Sequence, residues 1–409
     1  MRFSRRALPA LLAAPALAQA APRVVVIGGG FGGTSAARAL QAQGIAVTLV
    51  EARDTYTACP FSNAVIAGLR PMDGQRFGYD GLRRAGVTVV HQTATGVAER
   101  QVMLADGTRI PFDRLVLSPG IALRLDALPG YDEAASQAMP HAWAAGPQTT
   151  LLARQLAEMR DGGTVVMTVP ENPYRCPPGP YERASLIAWF LKTRKPRSKL
   201  LVLDAKDAFS KQRLFQAAWA ALYPGILEYV PLSGGGKVTG VEAGALRVST
   251  DFGEHEGAVV NVIPPQRAGD IARIAGVADR SGWCPVAPDS FESRLVPGIH
   301  VIGDAAIAGA MPKSAFAANA QGRVCADAVA ALLRGTALPT PRLMNTCYSL
   351  VAPDYGISVA GVYRPANGLW SDIPGAGGTS PPEAPAATRE AEARYAEDWF
   401  ETITADAFA

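Results

Sequence analysis

Short apolar runs that end in glycine or proline alternate with stretches of helical patterning along most of the chain. The first run, Val24–Ile27, is followed by closely spaced glycines, an alanine-rich helical stretch and a second run, Val47–Val50. Runs of about four to eight branched apolar residues bounded by turn formers predict strands buried on both faces, as in a parallel sheet. The same order recurs further on. A polar helical pattern over Gln148–Met159 leads to the run Thr164–Val169, a second helical stretch covers 181–192, and Leu200–Leu203 closes at Asp204. Two more strands are predicted within FDRLVLSPG (112–120) and LVPGIHVIGDAA (295–306), and MPKSAFAANAQG (311–322) opens a helix behind Pro312. From Pro339 the pattern changes to alternation over 345–365, a Pro/Gly-rich loop and an amphipathic run over 386–403. Its stripe of Tyr395, Trp399 and Ile403 is expected to pack on the body. The prediction is an α/β protein with two Rossmann-like units, residues 21–140 with 265–338 and residues 141–264, plus a smaller C-terminal α+β domain over 339–409.

Composition narrows the class. Of 409 residues, 48% are apolar and 18% are charged, the profile of a soluble globular protein rather than a disordered chain. A net charge of +3, with no basic run interleaved with aromatics, argues against nucleic acid as a partner. Residues 1–20, MRFSRRALPALLAAPALAQA, read as an export signal: Arg2, Arg5 and Arg6 form a basic start, Ala7–Leu17 an apolar stretch and Ala18-Gln19-Ala20 a cleavage site. The adjacent arginines point to the twin-arginine route, with an ordinary secretory signal as the alternative. The expectation is a periplasmic protein. No later run is long and apolar enough to predict a transmembrane segment.

The turn after the first strand carries chemistry. Gly28, Gly30 and Gly33 supply GxGxxG between a strand and a helix, and Glu51 follows the second strand. Glycines there permit a tight turn and close approach of backbone to a pyrophosphate, and the acid can accept from a ribose hydroxyl. The corresponding turn of the second unit reads ENPYRCPPGPYERAS (171–185), with prolines and Cys176 where glycines would stand. Proline has no N–H to offer a phosphate, so the electrons are expected to come from something other than NAD(P)H. Residues 112–120 and the Gly303-Asp304 pair resemble the second strand-turn and GD motif of flavoproteins in the disulfide-reductase-like superfamily. That resemblance implies that Asp304 binds the ribityl chain of FAD. Five cysteines (Cys59, Cys176, Cys284, Cys325 and Cys347) form no CxxC or CxxCH, and the four histidines are scattered, so neither a metal site nor a covalent haem is expected.

CPPGPYERAS, IPPQRAG, GWCPV, GDA, MPKS and NTCYS, with CxxSN at 59–63, resemble the flavoprotein subunit of flavocytochrome c sulfide dehydrogenase over essentially the whole mature chain. The resemblance implies a redox-active Cys176–Cys347 disulfide over the flavin, attacked by sulfide to leave a persulfide on Cys176 and a flavin-facing thiolate on Cys347. It implies that Glu182 handles the sulfide proton, with Arg175 and Arg183 as candidates for an attracting positive field. It implies further that Cys59 is joined covalently to FAD, although Pro60 and Phe61 depart from the expected local string. Arg53 and Lys313 are further candidate cofactor contacts, and Cys284 and Cys325 read as core thiols. The implied electron acceptor is a separate c-type cytochrome subunit. A sulfide:quinone oxidoreductase and a non-catalytic flavin scaffold for a cytochrome or sulfur-carrier partner are the alternatives.

Overall fold

Stiff branched side chains fill β1 (Arg23–Ile27), where Val24, Val25 and Val26 are each no more than 1% exposed in the computed structural model, which describes residues 21–409. The export signal expected over residues 1–20 lies outside the described residues. After β1 come α1 (Phe31–Ala42), β2 (Ala46–Val50), the short α2 (Ser62–Ile66), β3 (Thr88–Val90) and β4 (Arg114–Leu117). A second unit follows: α3 (Pro147–Glu158), β5 (Thr164–Val169), α4 (Gly179–Arg194), β6 (Lys199–Asp204), α5 (Gln212–Leu222), β7 (Leu227–Val230) and β8 (Val259–Val262). The chain then returns to the first unit through β9 (Ile299–Val301) and α6 (Ala315–Arg334).

Two parallel sheets result. The first has the order β9-β4-β1-β2-β3 and the second β7-β6-β5-β8. Helices cover the sheets because parallel strands joined by crossovers bury both faces. α1 and α6 cross where glycines meet: a Cβ on Gly322 would lie 2.5 Å from the Gly32 carbonyl oxygen. The α/β class with two Rossmann-like units therefore holds.

The C-terminal part is an antiparallel sheet of β10 (Leu343–Ala352), β11 (Tyr355–Ala366) and β12 (Leu369–Asp372), closed by α7 (Ala386–Phe408). Phe400, Ile403, Ala407 and Phe408 of α7 enter the same core as β1 and α1. Two expectations need correction here. The buried stripe of α7 runs through Ala393, Ala396, Phe400 and Ile403, whereas Tyr395 is 56% exposed, because the helix turns a neighbouring face to the body. α6 starts at Ala315 rather than directly behind Pro312, because the Ser314 hydroxyl caps it by accepting from the Ala317 N–H.

Candidate active site

The carboxyl ends of β1, β2, β4 and β9 open onto one cavity of ≈ 720 Å³. One wall is the turn from β1 to α1. It has no room for side chains: a Cβ on Gly28, at φ +103°, would lie 2.2 Å from the Ser118 carbonyl oxygen, and one on Gly33 would lie 1.9 Å from that of Gly28. Gly33 backs this wall, while Gly28 and Gly30 line it. Gly30 caps α1 without a side-chain hydrogen bond, which leaves first-turn amides free for a phosphate. Glu51 sits beside the turn, its carboxylate accepting from the Gly29 N–H at 2.7 Å and the Arg53 N–H at 3.1 Å.

Asp304 supplies the strongest sign of a ligand. It lines the cavity, and its Oδ1 is buried with no hydrogen-bond partner among the described residues. Burial raises its carboxyl above the ordinary range, with Arg175 and Lys313 pulling it back. An unpartnered buried carboxylate oxygen is costly unless something absent satisfies it, and a polyol hydroxyl is the matching donor. The glycine turn, Glu51 and Asp304 thus fit a dinucleotide with a ribityl chain, as FAD has. Arg53 also lines the cavity. Lys313 does not stand on its wall, which corrects its expected role. Its ammonium donates to the carbonyls of Asp304 (2.7 Å) and Ala306 (2.8 Å) and lies 3.9 Å from the Trp283 ring centroid, bracing the Asp304 segment from behind.

The loop from β5 to α4 turns into this same cavity. The Cys176 N–H donates to the Lys313 carbonyl at 2.7 Å, the Arg175 N–H to Gln266 Oε1 at 2.9 Å, and the Arg175 guanidinium to the Trp143 carbonyl. Cys176 is held at φ 58°, a left-handed conformation that costs a non-glycine residue energy and that clusters at functional sites. Cys347 comes from β10, far along the chain, and lines the cavity with Cys176. Both are thiols in this structure, as are Cys59, Cys284 and Cys325, so the expected pair shares one cavity without a bond between its sulfurs. Burial raises both thiols, and the Lys211 ammonium pulls each down.

Glu182, in the first turn of α4, accepts from Asn63 Nδ2 at 2.9 Å and from the Leu350 N–H at 3.3 Å, and burial raises its carboxyl. Asn63 Oδ1 in turn accepts from Arg183 Nε at 3.0 Å. Arg183 is only 2% exposed, and its remaining N–H groups go to the carbonyls of His141 and Ala142 and to Asn261. Burial lowers it to about 9. Its fork is spent on internal oxygens, so it clamps the 141–142 segment, which corrects its expected role as an attracting charge; Arg175 lines the cavity. Cys59 lines the cavity half-buried, its sulfur 4.0 Å from the Trp143 carbonyl oxygen, ahead of Phe61 at φ 65°. Cys284 and Cys325 are fully buried away from it, as core thiols.

Sequence reasoning missed Lys211, Trp143 and the separate roles of Asn63 and Asn345. The two asparagines stand inside the strings CPFSN and NTCYS, so their neighbours pointed to them. Lys211 has no such local sign. Its Nζ donates to the Cys347 carbonyl (2.9 Å), Ser349 Oγ (2.8 Å) and the Ile357 carbonyl (3.3 Å). No helix among the described residues is long and apolar enough to cross a membrane.

Comparison with known proteins follows the same division of the chain. The family model described as sulfide dehydrogenase (flavocytochrome c) flavoprotein chain, central, matches residues 149–264, and the flavin-binding model of flavocytochrome c sulphide dehydrogenase matches residues 339–408. A pyridine nucleotide-disulphide oxidoreductase model matches residues 22–154. The flavoprotein chain of a sulfide dehydrogenase (flavocytochrome c) from Chlorobaculum thiosulfatiphilum is 58% identical over 45 residues, which are 10% of this chain and 94% of that sequence. Among solved structures, the sulfide:quinone oxidoreductase of Aquifex aeolicus superposes with a TM-score of 0.75 at 15% identity, covering 94% of this chain and 92% of that one. The covalent putidaredoxin reductase–putidaredoxin complex gives 0.66 at 18% identity, with 92% and 93% covered. At these identities the two structures speak for the fold.

Proposed function

The chain belongs to the flavoprotein family of flavocytochrome c sulfide dehydrogenase, and we propose that it oxidises sulfide through a Cys176–Cys347 disulfide and passes the electrons by way of FAD to a c-type cytochrome subunit. The observation that carries this reading is a single cavity lined by the glycine turn, Asp304, both cysteines and Glu182.

Hydrosulfide is a good nucleophile toward disulfide sulfur. Attack on Cys176 forms a new S–S bond, breaks the Cys176–Cys347 bond, and releases Cys347 as a thiolate carrying the electron pair. Two features favour Cys176 as the attacked sulfur. It is the less buried of the two and sits on a loop, whereas Cys347 is fixed on a strand with a hydrogen bond from Asn345 Nδ2 to its sulfur at 3.2 Å. The better-stabilised thiolate is the better leaving group. Glu182 takes the proton of the new persulfide; a carboxyl raised by burial is a better proton acceptor than an ordinary one. The Arg175 guanidinium on the cavity wall draws the anion in. Bound FAD would supply a two-electron acceptor that can release electrons singly, held by the glycine turn, Glu51 and Asp304. We read Cys59, which lines the same cavity, as the residue that would carry a covalent link to it.

The second unit supports the exclusion of NAD(P)H. Asp204, at the end of β6, is fully buried and accepts from the hydroxyls of Tyr181 (2.7 Å) and Tyr229 (3.0 Å) and from Lys206 Nζ (2.6 Å). No ribose can reach it. Export to the periplasm through the signal at residues 1–20 completes the reading.

The test is anaerobic mixing of the FAD-loaded protein with sulfide and, separately, with NADH, while oxidised-flavin absorbance is followed. Bleaching by sulfide alone is expected; bleaching by NADH, or none by sulfide, sinks the reading. Supplying cytochrome c or a quinone to the reduced protein then separates the cytochrome partner from the quinone alternative.

A further inference from the structure

Lys211 breaks two local rules at once. It occupies the N-cap position of α5, where a cation opposes the positive end of the helix, and it does so at φ 62° without being glycine. Its side chain is buried, and among the described residues no carboxylate lies within ion-pair distance of its Nζ. Its hydrogen bonds go to neutral oxygens only, two of them on β10: the Cys347 carbonyl and Ser349 Oγ. A buried ammonium without an ion pair is costly, so such residues persist where an anion forms nearby, and the groups that raise it are Cys347 first and then Glu182.

The partner lies on the same strand. Cys347 and Asn345 point to the same face of β10, and Asn345 Nδ2 donates to the Cys347 sulfur. The amide is oriented from outside. Ser314 Oγ accepts from the Ala317 N–H at 3.0 Å, which leaves its own hydrogen for Asn345 Oδ1 at 2.5 Å and turns Nδ2 toward sulfur.

We propose that Lys211 and Asn345 are the residues that hold Cys347 as a thiolate, Asn345 by direct donation to the sulfur and Lys211 as the buried cation anchored on the same strand. This rests on the reading of Cys347 as the leaving sulfur. The titratable groups that face the pair are Cys176, Glu182, Glu392 and Tyr363, with Arg175 beyond Cys176. Burial lowers Lys211 to about 8, and among the groups that raise it Cys347 comes first. Burial raises Cys347, and Lys211, then Asn345, then Ser314 offset that rise. The dependence is mutual, as a cation and its missing anion require.

The test traps thiols, not turnover. FAD-loaded protein, reduced with dithiothreitol and freed of it anaerobically, is exposed to methyl methanethiosulfonate across a pH series, and modification of Cys347 is read by mass spectrometry. In Lys211→Met the midpoint of Cys347 trapping is expected to rise by about one to two pH units, and Lys211→Arg should stay within about half a unit of wild type. Asn345→Asp, isosteric with the native residue, removes the donor and adds a negative charge, so it also raises the midpoint; it decides the matter if Lys211→Met loses its flavin. Unchanged midpoints in both Lys211→Met and Asn345→Asp overturn the proposal. Shifted midpoints in a protein that sulfide does not bleach would retain this proposal and remove the sulfide reading.

Discussion

Two turns in this molecule occupy equivalent places in their strand–turn–helix frames and have opposite fates. After β1, glycines too crowded for any Cβ bring backbone amides to the cavity, and Glu51 beyond β2 stays beside them, on the wall. After β5, prolines remove the amides, and the acid beyond β6, Asp204, is sealed under Tyr181, Tyr229 and Lys206. The ring of Phe209 stacks on Tyr181 with centroids 3.6 Å apart. The second turn serves the other unit. It has bent into the first unit's cavity and delivers Arg175, Cys176 and Glu182 there. A βαβ frame thus lends its loop to a neighbour's cavity.

The sharpest way to break the comparison is to remove what the second turn delivers. Cys176→Ser should cut sulfide-driven flavin bleaching by about 10³-fold or more while FAD absorbance and NADH inertness stay unchanged, since without a disulfide no sulfur remains for sulfide to attack. Stopped-flow absorbance checks it. Substantial bleaching in the serine variant would show that the loop serves another purpose.

The next effect is on stability. Asp204→Ala leaves a buried Lys206 ammonium and two tyrosine hydroxyls without their acceptor, and loss of one partner of a buried pair costs about 3–5 kcal/mol. The matching change on the other side, Glu51→Ala, should leave the melting temperature of the apoprotein nearly unchanged and lower FAD incorporation. Thermal unfolding of the apoproteins and the flavin taken up when each is loaded with FAD distinguish them. Equal melting losses in the two variants would erase the proposed division between a structural acid and a ligand-binding one.

A smaller effect separates the turns themselves. Gly33→Ala places a methyl against the Gly28 carbonyl, and overpacking of this kind costs about 1–3 kcal/mol with loss of FAD, because the turn must open. Pro177→Ala should leave FAD content as it is. Flavin absorbance per protein reads both.

How much of this was legible follows from the range of the forces involved. The strands β1, β2, β5 and β6 announce themselves as apolar runs because each is buried on both faces by its own side chains. The glycine turn is equally local. Ile403 and Trp399 of α7 pack on the body as expected, but Tyr395 does not, because the partner surface, with Phe61 and Phe77 around Phe400, comes from another unit and selects the face that packs. Lys211 was invisible for the same reason: its acceptors stand on β10 and β11, and only the fold brings them to it. Arg183 stands out in the sequence beside Glu182, but the oxygens that consume its guanidinium lie on three separate segments.

Glu182 offers the finest distinction, because its two roles predict effects of opposite sign. Its carboxyl is raised by burial first, against the lowering influence of Asn63, Lys211 and the Leu350 N–H. For an acid whose folded value lies above its unfolded one, the folded state binds the extra proton, so stability falls as pH rises from the ordinary carboxylate range through the raised value and is level above it. Glu182→Gln carries no charge to desolvate and keeps an acceptor for Asn63. It should therefore be more stable than wild type at neutral pH, with the gain shrinking toward acid. As a proton acceptor, by contrast, Glu182 works only when ionised, so at fixed hydrosulfide concentration the wild-type bleaching rate should rise with pH through its ionisation. Glu182→Gln should lose that limb and run about 10- to 100-fold slower above it. A variant that is both steadier and slower identifies a carboxylate kept against its own cost for chemistry. One that keeps the wild-type pH profile would leave Glu182 as a packing residue of α4, and the proton would have to leave by another group.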